Sequence, residues 1–328
     1  MTGKSEPAIA TMRSALVVAC RAPSLHNIQP WRWVIGPRSV HLYLDRSRVS
    51  PVLDPTGEQS VIGCGAALYQ ARIGFAAEGW KALVHRLPNP DQPDHLASIE
   101  FSRLADIDSE AVVLAGLAAR RRTDRRPFLP EPVPPELLRE SREAAAAKDC
   151  VLDFVLSEPA RQQLSYAIRQ AGRAREDDPE YRHELAKWST RHVSSDGVPA
   201  RDIPEAHAPS AFERDFGAGE LSIPVLDDGA ELALLYTLED TLESELLSGE
   251  VLGEVTLSVA REGLASCVLS QFGEVFSARE FVRDQVLGGT GVPRFVLRLG
   301  WPITERFPAP PTPRRPIAEC VENLFPHY

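Results

Sequence analysis

Two short stretches of this 328-residue chain concentrate side chains that could grip a ligand. The first is the loop between Arg21 and Trp33, where Ser24, His26, Asn27 and Gln29 lie between Pro23 and Pro30. Pro23 cannot continue the helix expected over 8–21. Pro30 opens an extended segment in which Trp31 and Trp33 share a face. Asn and Gln side chains carry both donors and an acceptor, so this loop suits a uracil-like ring edge, two carbonyls flanking an N–H. The second stretch is Arg120-Arg121-Arg122-Thr123-Asp124-Arg125-Arg126, five arginines in seven residues. Like charges packed this closely repel, so an anion or several carboxylates should sit beside them. The planar guanidinium fork matches phosphate oxygens bidentately, and Thr123 adds a hydroxyl. A further basic piece, Thr312-Pro313-Arg314-Arg315-Pro316, lies near the C-terminus.

The first loop resembles the Pro-Ser-x-x-Asn-x-Gln-Pro-Trp segment of the flavin-dependent nitroreductase family. From helix 8–21 to the arm at 310–317, the chain is similar to the fused, Acg-type branch found in mycobacteria and other actinobacteria. The resemblance implies an α+β nitroreductase-like fold, a central, mostly antiparallel sheet flanked by helices. It implies two tandem half-copies forming an intramolecular pseudo-dimer. It also implies FMN as cofactor, with NAD(P)H as a transient electron donor. By the resemblance, Ser24, His26, Asn27 and Gln29 line the flavin site, Asn27 and Gln29 supplying hydrogen bonds to the ring edge. Arg121, Arg122, Thr123 and Arg125 fall on the family's Arg-x-Ser-x-Arg/Lys segment, which grips the phosphate and ribityl chain. Arg314 and Arg315 fall on the arm that closes the phosphate site, with Thr312 where the family often has Lys. Leu269, Ser270 and Gln271 fall on the loop beside the flavin N5, with the Ser270 N–H as donor to it. A flavin carries the hydride chemistry itself, so no catalytic side chain is required, and none is expected.

The pieces of the site are unevenly divided. The Ser24–Gln29 loop is in the first copy, and the arginine segment, the Ser270 loop and the Arg314 arm are in the second. Residues 1–13 hold no Arg-x-Ser-x-Arg, and residues 145–158 hold no second Pro-Ser-x-x-Asn. One intact FMN site and one degenerate site per chain are therefore expected. The elements that must position them also read as two copies, 1–115 and 116–328. In the first, helix 8–21 leads to strands at 31–36 and 39–45, an apolar helix over 60–79 and a strand at 96–102. A linking helix covers 106–120. In the second, helix 134–147 leads to strands at 150–157 and 231–237, a helix over 248–263 and a strand at 294–301. Both central helices end in Glu-Gly, the usual left-handed stop. The polar segment 158–222 reads as a lid, with Trp188 as a packing residue and Arg191 and His192 near its centre.

Bulk composition excludes several classes. The net charge of −10 disfavours nucleic-acid and anionic-membrane binding. The most apolar stretches, near 61–79 and 251–268, are interrupted by charges and too polar to span a bilayer. The five cysteines are scattered, with no metal-ligand spacing. Cys20, Cys64 and Cys267 read as small core hydrophobes. A reducing cytoplasm and no signal peptide are expected. Gly288-Gly289-Thr290-Gly291 precedes a strand rather than following one, so it is a turn and not a dinucleotide-binding fingerprint. The expected function is two-electron reduction of a small-molecule acceptor, nitroaromatic or quinone-like, by a monomer holding one FMN. The alternative is an FMN-binding or sequestering protein whose lid stays closed, with little turnover.

Overall fold

The structure, a computed structural model, describes residues 6–155, 157–189, 194–205, 216, 219–221, 227–303 and 312–324. Helix α1 (Ile9–Ala19) starts after Pro7 and ends before Pro23. Strands β1 (Trp31–Ile35) and β2 (Val40–Leu44) pair antiparallel. Helix α2 (Glu58–Ala77) is buried along most of its length and stops at Gly79, whose φ is +78°. Strands β3 (Trp80–Arg86) and β4 (His95–Arg103) complete the first run of antiparallel strands. The linking helix α3 (Ser109–Arg120) is capped by the Asp108 carboxylate, which accepts from the Ala111 N–H.

The second half repeats the order with additions. Strand β5 (Phe128–Leu129), helix α4 (Pro135–Ala146) and strand β6 (Cys150–Phe154) come first. Helices α5 (Glu158–Glu176) and α6 (Pro179–Trp188) follow, then β7 (Glu231–Thr237). Helix α7 (Leu242–Arg261) is opened by a reciprocal box between Thr241 and Ser244. Strand β8 (Ala265–Leu269), short helix α8 (Phe276–Phe281) and strand β9 (Val292–Pro302) lead to the last pieces, α9 (Ile317–Cys320) and β10 (Val321–Asn323).

Among the described residues the strands form two sheets flanked by helices, in the orders β10-β1-β2-β4-β3 and β5-β9-β7-β6, with β8 also paired to β9. All pairings are antiparallel except β1 with β10. The α+β class is as the sequence predicts, with differences in detail. Strands β3 and β8 were not expected as strands. Helix α7 begins six residues before the expected 248, at the Thr241 cap, and β6 stops at Phe154 rather than 157. The arm's β10 leaves the second half to pair with β1 in the first sheet.

The centre of the molecule is the crossing of α2 and α7. It is possible only because both contact residues are glycine. A Cβ on Gly65 would lie 2.1 Å from the Leu246 carbonyl oxygen, and one on Gly249 would lie 2.0 Å from that of Ile62. The contact is reciprocal, and 249 − 65, 246 − 62 and 263 − 79 all give 184. One apolar core joins α1, both central helices and inner faces of both sheets. A second packs α5 and α8 on the outer face of the second sheet. Within the expected lid, α6 instead joins Ile28 and Leu53 in a small cluster through Tyr181, Leu185 and Trp188. Trp188 is thus a packing residue, its indole N–H donating to Glu184 at 3.0 Å. Arg191 and His192 lie outside the described residues.

Candidate functional site

A cavity opens where the first-half loop meets α2, α7 and the end of β8. Its broad part is walled by Ile62 and Gly63 of α2, Leu252 of α7, and Cys267, Val268, Leu269, Ser270 and Gln271. Leu25, Gln59 and Phe216 also line it. A smaller, basic chamber adjoins, lined by Asn27, Arg121, Val198, Asp202, Thr312 and Arg314. Pro23, Ser24, His26, Thr123 and Arg125 line both. The arrangement offers a slot of mixed apolar and polar lining that adjoins a cationic end.

The arginine segment is extended where it meets β8. Thr123 forms a parallel bridge with Ser266, and the Asp124 N–H donates to the Ser266 carbonyl at 3.0 Å. Extended backbone turns alternate side chains to opposite faces. Arg121, Thr123 and Arg125 line the basic chamber, while Arg122, Asp124 and Arg126 face a separate cleft, which Arg121 also borders. There Arg126 makes a two-point contact with Asp124, at 2.9 and 2.6 Å. Arg122 donates to the Ala119 and Arg121 carbonyls, at 2.8 and 2.7 Å. Arg122 thus lines the separate cleft rather than the cavity, and braces its own segment.

Arg121 carries the strongest signal. It is 7% exposed, and among the described residues its guanidinium has no hydrogen-bond or ion-pair partner. Burial, and then the neighbouring Arg122, push its pKa down to about 10. Arg314 is pushed to about 9 by burial, Arg121, Arg21 and Arg122. Its side chain donates only to backbone carbonyls, those of Arg21, Ala22, Thr312 and Pro313. A buried cation without a counter-charge is costly, and these meet at one small chamber. The acid present is Asp202, whose carboxyl is raised by burial and drawn back by Arg125, Arg201 and Arg122. Arg125 donates to the Asp202 carbonyl at 3.0 Å.

The loop 24–29 is held in an unusual shape. His26, Asn27 and Gln29 have φ of +44°, +56° and +54°, a region costly for residues with a Cβ. The Ser24 hydroxyl accepts from the Gln29 N–H at 3.0 Å and helps fix it. The consequence revises two expectations. The Asn27 amide donates to the Gly197 and Pro313 carbonyls, both at 3.0 Å. The Gln29 amide donates to the Ser195 carbonyl at 2.9 Å and accepts from the Arg315 N–H at 2.9 Å. These side chains clasp the segment around 195–197 and the C-terminal arm. Gln29 lines neither part of the cavity, and Asn27 lines only the basic chamber. Arg315 also lies off the cavity, donating to the Gln29 and Glu319 carbonyls at 3.2 and 2.7 Å.

Ser24, His26, Asn27, Thr123, Arg121, Arg125, Leu269, Ser270, Gln271 and Arg314 are thus brought together around the cavity, and Gln29, Arg122 and Arg315 are not. Sequence reasoning missed Gln59, Leu252, Asp202 and Phe216. Phe216 meets His26 edge-on, ring centroids 5.7 Å apart, with the Arg125 guanidinium 5.6 Å from its centroid. No sequence signal marks it. Among the described residues, no cluster of His, Cys, Asp or Glu could hold a metal ion.

Fold and cavity together give an α+β protein with a slot that adjoins a basic chamber. No protein-family model matches the chain. Two Mycobacterium tuberculosis proteins align along nearly its whole length. One, provisionally named NAD(P)H nitroreductase Rv3131, is 37% identical over 96% of this chain and 92% of the relative. The other, provisionally named NAD(P)H nitroreductase Acg, is 36% identical over 94% of each. Among solved structures, the FMN and NADPH-dependent nitroreductase NfnB from Sphigopyxis sp. strain HMH is 20% identical, with a TM-score of 0.43 over 64% of this chain and 97% of that one. On the strength of the two full-length relatives, the chain belongs to the nitroreductase family, in the company of Acg.

Proposed function

We propose that this chain is an FMN-dependent NAD(P)H oxidoreductase of nitroreductase type, a cytoplasmic monomer built as a fused pseudo-dimer of residues 1–115 and 116–328. The observation that carries the reading is Arg121, a buried guanidinium with no counter-charge among the described residues, in the basic chamber beside the slot. Arg121, Arg125 and Arg314 would hold the phosphate, with Thr123 and Ser24 offering hydroxyls along the chain that joins it to the ring. Ile62, Leu252 and the 267–271 segment would hold the ring between α2, α7 and β8, excluding water from it. When bound, FMN would supply two-electron transfer between NAD(P)H and a small nitroaromatic or quinone-like acceptor.

One FMN per chain is supported by what stands in the exchanged position. The counterpart of Ser270, 184 residues earlier, is Arg86, which binds the fully buried Glu250 at 2.7 Å. Arg72 reaches the same carboxylate at 3.3 Å. An ion pair fills the place of a cofactor wall.

A second reading has its own support. Residues 194–202 are clasped by Asn27, Gln29 and Arg48, the last 2.5 Å from Asp196, and Phe216 lines the slot. A lid held this way favours storage of FMN over turnover. The deciding experiment is the visible spectrum of the purified protein, followed anaerobically with NADPH and then NADH. Prompt bleaching supports the oxidoreductase; bleaching by dithionite alone supports sequestration; a colourless protein that stays so with added FMN refutes both.

A further inference from the structure

The C-terminal arm is a wall with two faces. Thr312 and Arg314 line the basic chamber, and both also line a second cleft of about 310 Å³. Val17 and Arg21, at the end of α1, and Arg315 and Ile317 of the arm are among its other walls. The cleft reaches the surface at Val17, which is 44% exposed. Val17 and Ile317 give it an apolar side, and its charges are the guanidinium groups of Arg21, Arg314 and Arg315. Among the described residues no carboxylate lines it. Arg315 is held by the Gln29 and Glu319 carbonyls, with its Nε 3.7 Å from the Glu319 carboxylate. Arg21 is different: among the described residues its side chain makes no hydrogen bond or ion pair. The Arg314 Nε–H is buried and likewise lacks a partner among them. After burial, Arg21 is among the charges that lower both Arg314 and Arg122, so chamber and cleft share one self-repelling set of arginines. Arg21, Arg121, Arg122, Arg125 and Arg314 belong to it, and Asp202 is the acid that lines the chamber. A phosphate monoester in the chamber brings a charge of about −2. Together with Asp202 it still leaves positive charge unmatched on the side of Arg21.

We propose that this outer cleft is a second anion site, one that takes an organic phosphate monoester, and that its occupancy hastens the release of FMN. The Arg21 fork matches phosphate oxygens, the Thr312 hydroxyl adds a donor, and the body of the ligand lies on Val17 and Ile317. Two anions on either side of the arm share Arg314 and repel each other through protein rather than through bulk water. Each therefore weakens the other, by the same factor in both directions. The site stands on the residues of the cleft, whereas its effect on FMN rests on the phosphate reading above.

The test titrates the FMN-loaded protein with phenyl phosphate by calorimetry, and with inorganic phosphate at matched ionic strength. One phenyl phosphate per chain is expected, bound roughly tenfold more tightly than inorganic phosphate because its ring covers apolar surface. Arg21→Gln should weaken binding by at least about tenfold. Val17→Glu, a surface change that sets a carboxylate in the cleft, should do the same while FMN stays bound. Saturating phenyl phosphate should speed FMN release by roughly fivefold. No binding, or binding that neither substitution alters, overturns the site. Inorganic phosphate bound as tightly as phenyl phosphate overturns the organic-ligand assignment. Binding with unaltered FMN release overturns the coupling. Arg121→Ala should lose FMN yet keep phenyl phosphate; if it retains FMN, the phosphate reading fails instead, so the two failures are separable.

Discussion

Along residues 121–126 neighbouring arginines do different jobs because their side chains leave an extended backbone on opposite faces. Arg121→Ala removes a charged donor from the chamber. It should weaken FMN binding by about 1.5–3 kcal/mol, roughly ten- to a hundredfold. Arg122→Ala should change it less, since among the described residues Arg122 hydrogen-bonds its own backbone and acts on the chamber through its charge alone, beside Asp202, Arg121 and Arg314. Flavin fluorescence titration separates them. The cofactor-free Arg121→Ala protein should also melt higher than wild type, because an uncompensated buried charge is gone. The run of arginines was legible in the sequence, and period two selects Arg121, Thr123 and Arg125 from it. What was not legible is the fate of Gln29 and Arg315. Their types suit a ligand, but the positive φ at residues 26, 27 and 29 turns Gln29 toward chain segments far away in sequence.

At the scale of elements, the helix N-termini and the lid have separable consequences. Glu58 opens α2 and Glu245 lies in the first turn of α7, where Arg294 reaches Glu58 at 3.3 Å, Asp240 at 2.8 Å and Glu245 at 4.0 Å. Burial, Glu58 and Asp240, with a smaller contribution from Asp54 and against the pull of Arg294, raise the Glu245 carboxyl from 4.5 to about 7. Between those values the folded protein holds a proton the unfolded chain has released, so this group's contribution falls as pH rises from about 4.5 to 7. Glu245→Gln should flatten the stability profile across that interval and raise the melting temperature above wild type at pH 7.5; thermal melts at graded pH check both. In the polar segment, Phe216→Ala opens the slot and takes the ring away from the Arg125 guanidinium, leaving Arg121 and Arg314 in place. NADPH-driven flavin bleaching, followed by stopped flow, should quicken while FMN stays bound; an unchanged rate means Phe216 does not gate access. Neither Phe216 nor the Thr241 start of α7 was legible. The first lies in a polar stretch without periodicity, and the second is a Thr-Ser cap without the acidic partner that usually announces one.

For the whole molecule, the likeness of the two central helices was legible because both end in Glu-Gly. The crossing glycines and the buried Glu250 were not singled out, since only three-dimensional contact gives them meaning. Glu250→Gln leaves Arg86 and Arg72 facing a neutral group in the exchanged position. It should destabilise the protein by about 2–3 kcal/mol, less than a fully enclosed pair because both arginines are partly exposed. It should leave the FMN stoichiometry at one per chain; denaturant melts and absorbance ratios measure each. The arm made the sequence hardest to read, because Val321, Glu322 and Asn323 form too short a run to declare a strand, least of all one that joins the opposite sheet.

That crossing strand sets an order of events during synthesis. Chains emerge from the ribosome N-terminal end first, so both sheets can be largely assembled before residues 312–324 exist outside it. The basic chamber is then still open on the side that Arg314 will close, and β1 still lacks its outer neighbour. Pairing of Val321 with Trp33 and the seating of Arg314 on the Arg21 carbonyl fall together as late acts of folding. A later-made segment is therefore one that walls the basic chamber.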